Sequence, residues 1–211
     1  MSDVIDQERN KSGSPRRLLG RPLVWITFLA LLAFLAFGFL GQFFFRAKTT
    51  NQPAARDFFK RLSIEKPGKV IRAPDFTLED LSGKPLSIKD FRGKIVFLNF
   101  WATWCVPCRE EMPLMEKLHR EFKDRGLEMV AVNFREDKKA VQKFFDELGL
   151  SFKSLLDSDG DVSDKYGAWS LPLTYIIDRK GEFIGKTVGD RKWDSGDAKA
   201  FFRELLQEND R

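Results

Sequence analysis

The spacing of hydrophobic positions changes along the chain, and the changes predict an order of strands and helices. Residues 95–100 (IVFLNF) and 127–132 (LEMVAV) are short, nearly continuous apolar runs, typical of strands buried on both faces of a sheet. A helix is predicted to begin near Cys105 and to end before Gly126, and another to run from a capping Asp137 to Gly149. Their apolar faces are predicted to hold Leu114, Leu118 and Phe122, then Val141, Phe144, Phe145 and Leu148.

Turn residues predict hairpins on both sides of this region. Residues 75–78 and 86–88 flank a Ser-Gly-Lys-Pro turn, and residues 174–177 and 182–186 flank an Asp-Arg-Lys-Gly turn. A last helix is predicted over residues 197–207. Helices that follow strands, with a terminal hairpin, indicate an α/β fold whose mixed central sheet is flanked by helices and preceded by an N-terminal hairpin.

The N-terminal quarter has a different pattern. Residues 23–45 contain no charged side chain and a single amide. At about 1.5 Å per residue this run is roughly 35 Å long, enough to cross a bilayer core of about 30 Å. A cleaved signal peptide is the alternative, but its apolar region is usually only about 7–15 residues long and ends at an A-x-A-like site.

We therefore expect four segments. Residues 1–22 form an N-terminal tail, and residues 23–45 form a single uncleaved transmembrane helix. Residues 46–72, which are polar and broken by proline and glycine, form a tether with a short helix at 54–62. Residues 73–209 form the globular domain.

Charge excludes one class of partner and leaves the orientation open. The formal net charge is +5, and basic and acidic residues are interspersed, so the sequence shows no nucleic-acid-binding surface. Five Lys or Arg residues precede the apolar run, and five lie within the twenty residues after it. The positive-inside rule therefore does not orient the predicted helix.

The only two cysteines, Cys105 and Cys108, lie in the stretch FWATWCVPCREEMP. A disulfide between them closes almost no loop and adds little stability that way. They follow a predicted strand and open a helix, where unpaired backbone N–H groups and the helix dipole stabilise a thiolate. Pro107 suits the first helical turn. The spacing predicts thiol–disulfide exchange, in which Cys105 attacks and Cys108 resolves the mixed disulfide.

A zinc site is the alternative use of two cysteines, and it lacks ligands. Such a site usually needs four Cys or His donors, and His119 is the only histidine. We interpret His119 as a solvated helix residue. The chain contains no motif for a metal, a flavin or a nucleotide, so no cofactor is expected.

The stretch APDFTLEDLSGKPLSIKDFRGKIVFLNFWATWCVPCREEMP resembles the membrane-anchored thioredoxin-like proteins of bacteria, the TlpA/ResA type, and the resemblance extends over residues 73–207. It implies a thioredoxin-like fold and a protein-disulfide oxidoreductase with a redox-active Cys105–Cys108 disulfide. It places the domain on the periplasmic or extracytoplasmic side of the cytoplasmic membrane, and hence residues 1–22 in the cytoplasm. Several family members reduce cysteines of apocytochrome c or of copper-site assembly proteins. Protein thiols are therefore the expected clients, and a membrane thiol reductase is the expected electron donor.

The resemblance also implies a substrate-binding surface. Leu171 and Pro172 match the family's cis-proline loop, which would face the dithiol, and the backbone of Leu171 would pair with an extended client chain. An ordinary trans proline at the start of a strand is the alternative. Trp104 is assigned to the same surface. Together with Trp101 it is expected to shape the surroundings of the cysteines, although such residues serve equally well in a core or at a rim.

Two residues concern the proton of Cys108. Ordinary thioredoxins have a buried aspartate where this chain has Asn99, which cannot take up a proton, so we expect Asn99 to form hydrogen bonds within its strand. Glu111 lies one helical turn after Cys108, and burial there would raise its pKa into the range of an acid–base group. We expect Glu111 to take the proton from Cys108. In the alternative, Glu110 and Glu111 only stabilise the start of the helix.

Two other functional classes stay open. Peroxiredoxins share a similar A-P-D-F-x-L opening, but their reactive cysteine usually lies three residues after a threonine, whereas Thr103 lies two before Cys105. A peroxide-consumption assay separates this class. The other is a partner-binding or chaperone module that does not use its thiols, which a double serine variant would test.

Overall fold

The computed structural model describes residues 54–208. The predicted tail at residues 1–22 and the predicted transmembrane helix at residues 23–45 lie outside the described residues. Within residues 54–208, no helix is long and apolar enough to cross a membrane.

The described residues form one mixed sheet with helices packed on it. The strands are β1 Thr77–Asp80, β2 Pro85–Ser87, β3 Ile95–Trp101, β4 Leu127–Phe134, β5 Lys153–Asp157, β6 Leu173–Ile177 and β7 Phe183–Val188. The helices are α1 Ala54–Arg61, α2 Val106–Phe122, α3 Lys138–Leu148, α4 Asp161–Tyr166 and α5 Gly196–Glu208, with short 3-10 turns at Ile88–Phe91 and Lys123–Arg125.

The strand order is β2-β1-β5-β4-β3-β6-β7. Strands β3, β4 and β5 are parallel, whereas the β1–β2, β1–β5, β3–β6 and β6–β7 pairs are antiparallel. The mixed sheet, the two predicted hairpins and the order of helices confirm the predicted thioredoxin-like α/β fold.

Strand β3 is buried along its whole length because apolar side chains alternate to both faces of the sheet. Phe97 and Trp101 belong to the core cluster that α2, α3 and α5 cover, and Leu98 and Phe100 belong to the cluster on the opposite face. Asn99 falls between Phe97 and Trp101 in this alternation. Its side chain therefore points toward the helix that carries the cysteines.

The predicted helix faces are right in outline and wrong in one detail. Leu118 and Phe122 of α2 are buried as expected, but Leu114 is only half-buried. Met112 and Met115, which are fully buried, take its place in the core. The face turned inward therefore lies slightly to one side of the predicted one.

Helix α3 begins and ends where its signals predict. The side chain of Asp137 accepts a hydrogen bond from the backbone N–H of Ala140 at 2.9 Å. Gly149 ends the helix at φ +60°, a conformation that glycine adopts without steric cost. Of the predicted stripe, the valine and both phenylalanines are buried, and Leu148 is half-buried.

Strand β5 and helix α4 were not predicted. β5 places only two consecutive leucines between polar residues, and α4 is six residues long. Both are too short for the apolar periodicity to stand out from the neighbouring turns. β5 adds the third parallel strand, and α4 packs on the face of the sheet opposite to α2.

The first described helix, α1, confirms the predicted short helix, and the segment that follows it packs on the domain. We call residues 58–65 the N-terminal arm. Phe58, Phe59, Leu62 and Ile64 of the arm are buried in the same core cluster as α2 and α5. Backbone hydrogen bonds of 2.8 and 3.0 Å then join Glu65 to Lys186 of β7. The folded body thus begins inside the range predicted as a tether, because this range carries apolar side chains that the core accommodates.

His119 is not the solvated residue that was expected. It is half-buried, and its ring lies 6.1 Å from that of Phe152. Burial lowers the pKa of its imidazole, against the opposing charges of Glu116 and Glu128. His119 lies on α2 itself, and its ring faces Phe152, which belongs to the core cluster.

Candidate active site

The two cysteines form a disulfide at the start of α2. The S–S bond is 2.02 Å long. Cys105 caps the helix, and its Sγ accepts a hydrogen bond from the backbone N–H of Cys108 at 3.3 Å. Cys105 is 5% exposed and Cys108 is fully buried. After reduction, the same N–H group and the start of the helix would stabilise a thiolate on the more accessible sulfur.

Glu111 lies one turn further along α2 and is only 1% exposed. One carboxylate oxygen accepts a hydrogen bond from Asn99 Nδ2 at 2.9 Å. The other accepts from Trp193 Nε1 at 3.1 Å and from the backbone N–H of Arg191 at 3.3 Å. Burial raises the pKa of Glu111 to about 7, although these three hydrogen bonds act in the opposite direction and the charge of Asp190 adds a small upward contribution. The carboxyl group can therefore gain or lose a proton near neutral pH.

Asn99 was expected to form hydrogen bonds within its own strand, and this prediction is wrong: its side chain bonds to α2 and to the neighbouring strand β6. Its Nδ2 donates both to Glu111 and to the hydroxyl of Thr174 on β6, the latter at 3.0 Å. The reason is the alternation along β3, which directs this side chain toward α2. Asn99 thus fixes the orientation of the carboxyl group next to the cysteines.

The loop before β6 lies beside the disulfide. The Leu171–Pro172 peptide bond is cis, as predicted. Leu171 lines a groove together with Cys105 and Trp104, so the structure brings these three predicted residues together. Pro172 is itself buried, and its carbonyl oxygen accepts a hydrogen bond from Gly189 at 2.8 Å.

The groove has an apolar and unusually exposed rim. Trp104 is 64% exposed, Val106 is 64% exposed and Trp169 is 84% exposed. Trp169 was not predicted, because a lone tryptophan in a loop carries no periodic signal. Trp101, in contrast, is fully buried, with ring centroids 4.7 Å from Phe144 and 5.7 Å from Phe145. One tryptophan of the motif belongs to the core and the other to the rim.

Glu136 is an acidic residue of the site that was not predicted from the sequence, unlike Glu111. It is half-buried after β4, and it accepts hydrogen bonds from the backbone N–H of Thr103 at 2.7 Å and from the hydroxyl of Thr103. Asn133 Nδ2 donates to the same carboxylate at 2.7 Å. Glu136 therefore holds the loop that leads into the cysteines. The adjacent ends of two parallel strands are the signal that could have indicated this contact.

Comparisons with known proteins agree with this geometry. Residues 71–184 match the model of the AhpC/TSA family. The thiol-disulfide oxidoreductase ResA of Halalkalibacterium halodurans is 44% identical over 133 residues, which cover 63% of this chain and 74% of that protein. ResA of Bacillus subtilis is 44% identical over 117 residues, which cover 56% and 65%. A putative thiol:disulfide interchange protein DsbE from Chlorobium tepidum superposes with a TM-score of 0.61 at 32% identity, covering 65% of this chain and 97% of that structure.

Proposed function

Since the chain belongs to the AhpC/TSA family and is a thioredoxin-like protein-disulfide oxidoreductase, we propose that Cys105 and Cys108 reduce disulfides of proteins outside the cytoplasmic membrane. Support comes from one arrangement above all. Three groups follow one another along α2: the slightly exposed sulfur of Cys105 at the helix start, the buried sulfur of Cys108 and the buried carboxyl group of Glu111.

The first step is the attack of the Cys105 thiolate on a client disulfide. A new S–S bond joins Cys105 to one client sulfur, and the second client sulfur leaves as a thiolate that takes up a proton. The hydrogen bond from the Cys108 N–H and the helix dipole favour the ionised form of Cys105 at the pH of reaction.

In the second step Cys108 attacks the Cys105 sulfur and releases the client. The Cys108 thiol must lose its proton, and we assign its uptake to the carboxylate of Glu111, one turn away on the same helix. The Cys105–Cys108 disulfide forms, the mixed disulfide breaks, and two electrons have passed to the client. A membrane thiol reductase would then return two electrons, and Glu111 would return the proton to Cys108.

The apolar rim is proposed as the client surface. Trp104 and Trp169 present large, rigid apolar faces along the groove that Cys105 lines. Such side chains bind unfolded or extended chains with little loss of rotamer freedom. Leu171 completes the surface and would pair with the client backbone. Clients of this kind include cysteine-containing chains before they acquire haem or a metal, as in cytochrome c maturation.

We further propose that residues 23–45 anchor the protein as a single transmembrane helix, with the tail at residues 1–22 in the cytoplasm. The length and apolarity of this run support the anchor. The outward orientation is proposed from the resemblance to the TlpA/ResA type, whose members hold this domain on the outer face of the cytoplasmic membrane, where protein disulfides form and persist. Labelling of the Cys108→Ser variant in spheroplasts with a membrane-impermeant maleimide tests this placement, and protection of Cys105 until the membrane is dissolved would contradict it.

The decisive experiment is trapping in cells. The Cys108→Ser variant keeps the attacking sulfur and lacks the resolving one, so client proteins should remain bound to Cys105 and be identified by mass spectrometry after non-reducing separation. The double variant Cys105→Ser/Cys108→Ser is the matched control and should retain none of them. Equal recovery with both variants would exclude thiol exchange and favour a partner-binding module.

A peroxide-consumption assay addresses the other alternative. The reduced protein should consume hydrogen peroxide no faster than a free dithiol does, while it reduces a protein disulfide rapidly. Peroxide turnover that exceeds disulfide turnover would reverse the assignment.

A further inference from the structure

Arg191 donates to three backbone carbonyls through its guanidinium group, one in the N-terminal arm and two in the stretch that leads from β7 to Arg191. It is half-buried in the loop between β7 and α5. Nε donates to the carbonyl of Leu62 in the N-terminal arm at 3.0 Å. The two Nη atoms donate to the carbonyls of Val188 at 3.1 Å and Asp190 at 2.7 Å. One side chain therefore fixes the loop internally and also ties it to the arm.

The same loop supplies two of the three hydrogen bonds that Glu111 accepts. The backbone N–H of Arg191 and the indole Nε1 of Trp193 both donate to one carboxylate oxygen, at 3.3 and 3.1 Å. A movement of this loop would change the donors of Glu111 directly, with no residue in between. Arg191 thus links the arm to the buried acid: its guanidinium binds the carbonyl of Leu62 in the arm, and its backbone N–H donates to Glu111.

A second connection between the arm and Glu111 runs through packed aromatic rings. Phe59 of the arm lies 5.2 Å from Phe201, measured between ring centroids, and Phe201 lies 5.2 Å from Phe202. Phe202 lies 6.4 Å from Trp193, which is fully buried. Closely packed side chains of this kind settle into discrete arrangements and do not deform continuously. Release of Phe59 would therefore also disturb Trp193.

We propose that Arg191 is a positioning residue that holds the donors of Glu111 in register with the N-terminal arm, so that docking of the arm controls how Glu111 takes up and releases its proton. This role rests on the proton transfer proposed above for Cys108. No residue of the arm lines the client groove, so this control of the acid–base group would be separate from client binding.

The direction of the effect follows from the groups around Glu111. Burial is the largest cause of its raised pKa, and the negative charge of Asp190 acts in the same direction, whereas all three hydrogen-bond donors lower the pKa. From α2 the neighbour is Cys108, and from β3 it is the uncharged Asn99. Loss of the two donors of the loop leaves burial in place and destabilises the carboxylate. The pKa of Glu111 must then rise further.

The test is an infrared titration of Glu111 in the full-length oxidised protein, where neither cysteine titrates. The band of the protonated carboxyl group is assigned by its loss in Glu111→Gln. In Arg191→Ala the midpoint should move upward by about one unit, as expected when a hydrogen bond to a charged group is weakened. Arg120→Ala is the control for the loss of an exposed guanidinium that donates to a backbone carbonyl, because Arg120 on α2 donates to Gly149 and pairs with Glu116 but contacts neither the arm nor the loop. It should leave the midpoint unchanged.

Two further variants separate position from charge and from general loss of packing. Arg191→Lys keeps the charge but cannot bridge three carbonyls, so its midpoint should rise almost as far as that of Arg191→Ala. Phe59→Ala should shift the midpoint in the same direction. Phe91→Ala, which opens a cavity in the core cluster on the opposite face of the sheet, should not.

Each outcome decides the proposal. A wild-type midpoint in Arg191→Ala with native circular dichroism, or full restoration by Arg191→Lys, would overturn it. A separate stopped-flow measurement compares the pH dependence of mixed-disulfide resolution in wild type and Glu111→Gln. If the two profiles coincide, the proton transfer assigned to Glu111 fails, while the titration still reports whether Arg191 and the arm govern this carboxyl group.

Discussion

The side chain of Asn99 donates a 2.9 Å hydrogen bond to the carboxylate of Glu111, joining the strand before the cysteines to the helix that begins with them. An amide in this place can orient a carboxyl group but cannot replace it as a proton acceptor. Glu111 is therefore the group that titrates, and Asn99 is the group that orients it.

Glu111→Gln should slow the resolution of the mixed disulfide and remove its dependence on pH near neutrality. The carboxyl group has a pKa of about 7, so it accepts a proton efficiently only above that pH, and glutamine cannot accept one at any pH. We expect a loss of roughly 10²-fold in the resolution rate above neutrality, at the lower end of what a positioned general base contributes. Stopped-flow kinetics with a fluorescent mixed disulfide measure it. Glu110→Gln is the control, because Glu110 is exposed one position earlier on α2, and its rate should stay close to that of wild type.

The same carboxyl group should make folding stability depend on pH. The folded protein holds the proton of Glu111 up to about pH 7, whereas the unfolded chain loses it near the ordinary value of 4.5. Its stabilising contribution is thus complete below about pH 4.5 and is lost as the pH rises through about 7. Relative to Glu111→Gln, the oxidised wild type should lose about 3 kcal/mol of unfolding free energy across this interval. Urea denaturation of both proteins at several pH values tests this, and a constant difference between them would contradict the burial of an ionisable Glu111.

Asn99→Ala should raise the pKa of Glu111 and destabilise the oxidised protein by about 1–3 kcal/mol, since it removes a buried donor from a carboxylate. Thr174→Val is the matched control. Thr174 accepts a hydrogen bond from Asn99 and is not one of the donors to the carboxylate of Glu111, so valine should change the stability without an equal change in titration. Infrared titration and denaturation together separate the two effects. Equal shifts in both variants would show that general packing, not the amide of Asn99, sets the proton affinity.

Trp104→Ala and Trp169→Ala should each weaken the reduction of a protein client by about tenfold, the loss of roughly 1.4 kcal/mol that an aromatic contact at an interface readily accounts for. Reduction of a small soluble disulfide should change little, because the sulfur chemistry is untouched. Val70→Ala is the control for the removal of an exposed apolar side chain, since Val70 is 75% exposed and lies outside the groove. Equal losses with the small disulfide would place these tryptophans in the chemistry and not in client binding.

The parts of the fold that the sequence predicted are those with a strong local cause. Strand β3 is a continuous apolar run, and α3 has both a capping aspartate and a terminal glycine, so their positions follow from neighbouring residues alone. Strand β5 has no such pattern and is held in the sheet by pairing with β4 and β1. The cysteines were identified from their spacing and from the helix start, which are also local features.

The rest of the site depends on contacts between distant parts of the chain. Trp193 and Arg191 lie about 80 residues after Glu111, in a polar loop without a motif, and one of their two hydrogen bonds comes from a backbone N–H that any residue other than proline possesses. The hydrogen bonds of Asn99 were predicted within its strand, because the strand sequence alone does not show that the helix carrying Glu111 packs on it. Such partners become visible only when the sheet has brought the loop, the strand and the helix together.

The pairing of Glu65 with Lys186 has a practical consequence for experiments in solution. β7 is the last strand of the sheet, and the arm satisfies part of its outer row of backbone hydrogen-bonding groups. A catalytic fragment cut at residue 71, where the match to the family begins, would keep the hydrogen bond from the Phe183 N–H to the Ile71 carbonyl. It would lose both backbone hydrogen bonds between Lys186 and Glu65, and it would uncover Phe201 beneath the missing Phe59. Bare sheet edges recruit other strands, so such a fragment should self-associate as its concentration rises. Fragments intended to stay monomeric should therefore start no later than residue 54.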